Sequence, residues 1–285
     1  MIVDLVGYMP TNSTILVTAA TAAIAPRALR ALPTRPNYRG VELPFPAGII
    51  AAAAGTVAAR GRTLPLGAGV AVLGLIDDLV DAPPKGLRGH ATAGITTGTL
   101  KAGGTIALAY ATTRDARRAA VITLVSHVAN VLDLRPGRAT KAFLLLGAGL
   151  LGAKRGPGET AVFTAPLLVI GAYDLRERAM LGDTGSTLLG AMAGLWLTTA
   201  LDARGLTLAA AGLTTIALVA ELTSLSALID RVPPLRALDW LGRRNADCLS
   251  HDPAPVSSSS PAGSSPRSAR ASRRPPSAAC WCPAA

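Results

Sequence analysis

Apolar residues gather in nine runs along the chain, separated by short polar or charged connections. They are Leu5–Ala25, Ala47–Ala59, Leu64–Ile76, Ala102–Thr113, Ala119–Leu132, Ala142–Ala153, Ala161–Tyr173, Thr184–Ala200 and Leu206–Ala227. Apolar runs of this kind read as membrane-spanning helices. The first run has the length of one bilayer crossing, and the shorter ones extend into polar flanks. The pattern predicts an all-α fold: a polytopic transmembrane helix bundle of about nine spans. Asp4 precedes the first run, with no basic segment before it and no A-x-A site ahead of Pro26. That run therefore reads as a retained span and not a cleaved signal peptide.

The chain has 285 residues, of which 50% are hydrophobic and 16% charged, with a mean hydropathy of +0.40 and a net charge of +11. Average soluble domains carry about 25% charged residues. The mixture argues against a soluble enzyme and against a disordered protein. It also argues against a nucleic-acid binder, whose charge sits on a water-soluble scaffold. A membrane protein with basic connecting loops accommodates it. The spacings Gly94-xxx-Gly98 and Gly190-xxx-Gly194 fit close helix packing, although glycine is abundant throughout.

The connections fall alternately on two sides. One side comprises 26–46, 77–101, 133–141, 174–183 and everything after 227, and it holds 20 Lys and Arg residues against 8 on the other. Without the four arginines from 267 onward the ratio is 16 to 8. The positive-inside rule then places the first side in the cytoplasm and the N-terminus outside, giving a multi-pass protein of the cell membrane. From about Asn245 the composition turns to Ser, Pro, Ala and Arg, with a Ser257–Ser260 run. The expected division is a transmembrane domain over 1–244 and a disordered tail over 245–285, the latter resembling an out-of-frame end. All three cysteines, Cys248, Cys280 and Cys282, lie in that tail. No disulfide framework holds the body, and the lone C-x-C has no second ligand pair.

Three acidic motifs lie on the cytoplasmic side. Gly74-Leu-Ile-Asp77-Asp78 ends a span, and adjacent carboxylates there call for a cation or a proton. Asn130-Val-Leu-Asp133 ends another, followed by Arg135, Arg138 and Lys141, cations suited to phosphate. Gly182-Asp183-Thr184-Gly185-Ser186 opens a third, where Thr184 or Ser186 can cap the helix and the helix start attracts phosphate. Each also has a plain structural reading: solvated loop acids, a topology-setting basic loop, an N-capping aspartate. Together they describe a Mg²⁺–diphosphate site facing the cytoplasm, since Mg²⁺ takes one or two carboxylates plus substrate phosphates.

Gly182–Gly190, Gly74–Asp78, Asn130–Asp133 and Asn37–Ile49 resemble, in order and spacing, the motifs of the polyprenyl-phosphate N-acetylhexosamine-1-phosphate transferase superfamily, which includes phospho-N-acetylmuramoyl-pentapeptide transferase. The resemblance covers about residues 25–245 and implies ten transmembrane helices with a cytoplasmic site. The implied reaction moves a sugar phosphate from a UDP-amino sugar to a polyprenyl phosphate for cell-envelope glycan synthesis. Products are a lipid-linked diphospho-sugar and UMP. The cofactor implied is Mg²⁺, with Mn²⁺ as an alternative, and a homodimer is one assembly it allows. Carried over by position, Asp183 holds the metal, and Asp77 and Asp78 handle the lipid phosphate or its proton. Asn130 and Asp133 line the nucleotide side. Arg135, Arg138, Lys141, Thr184 and Ser186 complete the expected substrate-binding set.

The departures matter, a missing tenth helix among them. Leu134-Arg135-Pro136-Gly137-Arg138-Ala139 replaces the family's Gly-x-Asp-Gly-Leu-Ala, and Arg231–Asp239 stands where a histidine cluster is expected. His127 replaces an earlier asparagine, and His251 matches nothing. These departures motivate an alternative: an inactive homologue that binds polyprenyl lipid or scaffolds an envelope complex. A transporter is a third reading, but only Lys101, His127 and Glu221 fall inside spans, and no paired buried charges are evident.

Overall fold

The computed structural model describes residues 12–80 and 97–243. These belong to the first of two units, Met1–Arg243; the second, Arg244–Ala285, lies outside the described residues, as do Asp81 and Gly94. The expected boundary after residue 244 falls one residue from this division.

The all-α class holds. Among the described residues, nine helices coincide with the described parts of the nine apolar runs: α1 (Asn12–Ala31), α2 (Gly48–Ala58), α3 (Thr63–Leu79), α4 (Thr97–Thr113), α5 (Ala116–Leu132), α6 (Arg138–Gly152), α7 (Ala161–Asp174), α8 (Gly182–Thr198) and α9 (Ala203–Leu222). Two short helices, α10 (Leu225–Arg231) and α11 (Pro233–Trp240), come after them. One addition was not expected. Strands β1 (Thr34–Pro36) and β2 (Glu42–Pro44) form an antiparallel ribbon with Thr34 opposite Pro44. Its turn is closed by the Asn37 carboxamide, whose Oδ1 accepts from the backbone N of Arg39 at 2.8 Å and of Val41 at 3.1 Å.

Helix α8 is the axis of the fold, buried along nearly its whole length and packed against α2, α3, α5, α6 and α7. Small residues make this possible. A Cβ at Gly190 would stand 2.6 Å from the Cα of Ser126, and one at Gly194 would stand 2.7 Å from the Cα of Ile122. The Gly190-xxx-Gly194 spacing is thus the face on which α5 and α8 touch backbone to backbone. Ser126 Oγ donates to Thr187 O at 2.8 Å across the same contact. Farther along, the fully buried Phe163 ring fills the space left by Gly55 and Gly67.

The outer faces are apolar as well. Leu16, Val57, Leu145, Leu208 and Leu222 are each more than half exposed. Among the described residues, α9 is the one helix both long and apolar enough to cross a membrane by length and composition, and only 11% of its apolar window is buried. It packs chiefly on α5.

Candidate functional site

Four helix ends meet at one point: the last turn of α3, the first part of α4, the last turn of α5 and the start of α8. Asp77 and Asp78 are adjacent on α3, but successive helical side chains point in different directions, so the two carboxylates meet different neighbours. Asp78 is buried and turns to α8. Its Oδ1 accepts from the backbone N of Asp183 at 2.8 Å, and its Oδ2 accepts from Thr184 N at 2.8 Å and Thr184 Oγ1 at 2.5 Å. The first N–H groups of a helix have no intrahelical acceptor. Here a carboxylate from another helix supplies it, and no side chain at the N-cap residue Leu181 does. The expectation that Thr184 or Ser186 caps this helix is therefore corrected. Thr184 is itself a donor to the cap, and both hydroxyls are buried and engaged within the protein.

The motif glycines make this junction possible. A Cβ at Gly74 would stand 2.5 Å from Asp183 O, and one at Gly48 would overlap the backbone of Gly185. Gly182 takes φ +72°, the left-handed region that glycine enters without strain. The backbone N of Gly48 donates to Leu181 O at 2.9 Å, tying α2 to the same turn.

Asp77 turns the other way, toward α4. Lys101 Nζ donates to Asp77 Oδ2 at 2.5 Å and also to Asp183 Oδ2. Asn130 completes the group. Its amide nitrogen donates to Asp183 Oδ1 at 2.7 Å and to Ser186 Oγ at 3.2 Å, while its oxygen accepts from Lys101 Nζ at 2.9 Å. That orientation is the one its neighbours satisfy. Asp183 is the most open of the three charged members, with 32% of its side chain exposed against 19% for Asp77 and 13% for Lys101. Lys101, an in-span cation for which the sequence shows no partner, is in the structure paired with both Asp77 and Asp183. Its signal was present, because a lone cation in an apolar helix needs a partner.

Asp133 follows the last residue of α5 and stands close enough to this group to feel it. Burial, then the charges of Asp174, Asp183 and Asp78, push its carboxyl well above the ordinary aspartate value. Its Oδ1 is buried without a hydrogen-bond partner among the described residues. Asp174, fully buried at the end of α7, accepts from Thr140 Oγ1 at 2.7 Å.

Arg135, Arg138 and Lys141 do not join the Asp77–Asp183 group. They hold α10 and α11. Arg138 grips Asp239 through both carboxylate oxygens, Nε at 2.8 Å and Nη2 at 2.9 Å, and donates to Ser226 Oγ at 2.8 Å. Lys141 Nζ donates to Asp239 O at 2.7 Å, and Arg135 pairs with Asp230 at 3.4 Å. Arg243 adds a further bond to Asp239 at 2.6 Å. Burial alone would raise the Asp239 carboxyl, but Arg138 and Arg243 outweigh it and hold it down to about 2.

Among the described residues, no three His, Cys, Asp or Glu side chains form a ready-made metal site. Two carboxylates facing one cation do suit Mg²⁺, which completes its shell with water and phosphate oxygens. Comparison with protein-family models, with curated proteins and with solved structures finds no match to this chain.

Proposed function

We propose that this chain is a membrane-embedded, Mg²⁺-dependent phosphotransferase. It moves N-acetylhexosamine-1-phosphate, or a related sugar phosphate, from a UDP-sugar to a polyprenyl phosphate. The observation that carries this reading is the meeting of Asp77 and Asp183 about a single cation, Lys101. Two acids 106 residues apart in the chain share one open cluster at the cytoplasmic ends of apolar helices. Exposed apolar faces on α1, α6 and α9 support the membrane setting.

Asp77 and Asp183 would hold Mg²⁺, which would supply positive charge to offset the negative charge building on the leaving UMP. Asn130 fixes the rotamer of Asp183, and Asp78 fixes the helix start that presents it. Lys101 neutralises the carboxylates in the metal-free protein, and a metal taking its place between them would free its N–H groups for phosphate oxygens. A lipid phosphate oxygen forms a bond to the β-phosphorus. The bond from that phosphorus to the bridging oxygen breaks, and UMP leaves with the electron pair. Asp133 lines the nucleotide side.

The test is Mg²⁺-dependent transfer of label from a panel of UDP-sugars to polyprenyl phosphate by the full chain in nanodiscs. The expected result is labelled lipid plus UMP, abolished in Asp183→Asn. No product across the panel, or undiminished Mg²⁺-dependent product in Asp183→Asn, overturns the reading. A second reading, a non-catalytic lipid-binding homologue, draws on Arg135 and Arg138 being occupied by Asp230 and Asp239. It is supported by polyprenyl phosphate binding without UMP release.

A further inference from the structure

A pocket of about 260 Å³ lies under the α10–α11 segment, where it crosses the end of α5 and the start of α6. Its walls are almost wholly apolar, among them Leu132, Leu145, Ile229 and Leu238. Three polar residues reach it: Arg138, Lys141 and Asp239. Their states differ. Arg138 and Asp239 satisfy each other through two parallel bonds. Lys141 is more than nine-tenths buried and spends one donor on the carbonyl of Asp239. An ammonium has three donors. Among the described residues Lys141 makes no other hydrogen bond, and no carboxylate lies within ion-pair distance of it.

A buried ammonium with no carboxylate in ion-pair contact is costly, and an anion that brings its own apolar body would satisfy it within an apolar wall. We propose that this pocket binds an anionic amphiphile, a carboxylate or phosphate head on a short apolar chain. The head takes the free donors of Lys141, and the chain lies against Leu132, Leu145, Ile229 and Leu238. At about 30 Å³ for each water-sized group, the volume admits about eight methylene-sized groups. The site uses neither Asp77 nor Asp183, so its occupancy is independent of the transfer reaction.

The full chain in phosphatidylcholine nanodiscs is irradiated with a diazirine analogue of octanoate, and labelled peptides are mapped by mass spectrometry. Label is expected on the peptides that carry Leu145 and Leu235. Octanoate or octyl phosphate should compete at least about tenfold better than octanol, as a charge-assisted hydrogen bond requires. The better competitor of the two identifies the head group. Lys141→Met should lower labelling about tenfold, and Ala142→Phe, which fills the pocket and keeps the lysine, should abolish it. Far-UV circular dichroism checks that both variants fold. Equal competition by octanol on the unaltered chain, or wild-type labelling of a folded Lys141→Met, overturns the proposal.

Discussion

Asp78 caps a helix to which it is joined only through 106 residues of chain: one of its oxygens takes both the backbone N–H and the hydroxyl of Thr184. Its other oxygen takes the N–H of Asp183. The position of the Asp183 carboxylate is therefore set by the contact of Asp183 and Thr184 with α3 together with the left-handed turn at Gly182. Adjacent acids in one motif thus have separate duties, with Asp77 facing the open cluster and Asp78 building it.

Removing that cap should weaken the fold as well as the site. Asp78→Ala deletes a cap, worth about 1 kcal/mol, and strands buried donors at about 1–3 kcal/mol. A loss of about 2–4 kcal/mol is expected, read as a lower midpoint in detergent unfolding followed by circular dichroism. Asp77→Ala, whose side chain is not a cap, should lose far less stability while losing transfer activity. Equal destabilisation by the two changes would contradict the division of duties.

Lys101 holds two carboxylates that would otherwise repel each other. Lys101→Met leaves Asp77 and Asp183 facing each other without a counter-charge. The metal-free variant should unfold at lower temperature than the unaltered chain. Added Mg²⁺, which binds the folded state only, should then raise its midpoint by more than it raises that of the parent. Thermal unfolding with and without Mg²⁺ reads both effects, and an unchanged metal response would show that the carboxylates are not a shared cation site.

Much of this was written in the chain. Among the described residues each apolar run falls on a helix, and the acidic motifs bring Asp77, Asp183 and Asn130 into one group. The glycines of those motifs turned out to be the close contacts that let α2, α3 and α8 meet. What stayed hidden depended on tertiary placement. Adjacency in sequence does not tell which of Asp77 and Asp78 faces α4 and which faces α8. Lys101 appears in sequence as one cation in an apolar run, and its partners lie 24 and 82 residues away. Arg135, Arg138 and Lys141 read as phosphate ligands until Asp230 and Asp239 are folded onto them. Three-residue strands that end in Pro36 and Pro44 are too short to show any alternation.

Two helical glycines should respond to the same substitution with opposite sign. Gly190→Ala forces a methyl to within 2.6 Å of the α5 backbone and should destabilise by about 1–3 kcal/mol through overpacking. Because α5 carries Asn130, it should also weaken the hold on Asp183. Gly149, in α6, has nothing within 4 Å of where a Cβ would stand. Gly149→Ala should stabilise by about 0.5–1 kcal/mol, the helix advantage of alanine over glycine. Unfolding midpoints of the two variants provide the comparison.

The docking of α10 and α11 should fail in acid, and the direction follows from Asp239. Its carboxyl is held down to about 2 in the folded protein, below the free aspartate value of about 3.9. A depressed folded value means that the charged carboxylate stabilises the fold fully above the free value. That contribution declines as pH falls through about 4 and is gone once pH passes below about 2. Over that window the grip of Arg138 and Arg243 on Asp239 should release, exposing the backbone of 225–240 while α8 stays protected. Hydrogen exchange read by mass spectrometry at a series of acidic pH values measures this segment by segment. In Asp239→Asn the same segment should exchange faster at neutral pH, and its dependence on acid should flatten. An identical pH profile in the parent and in Asp239→Asn would assign the acid sensitivity to another group and remove Asp239 as the latch.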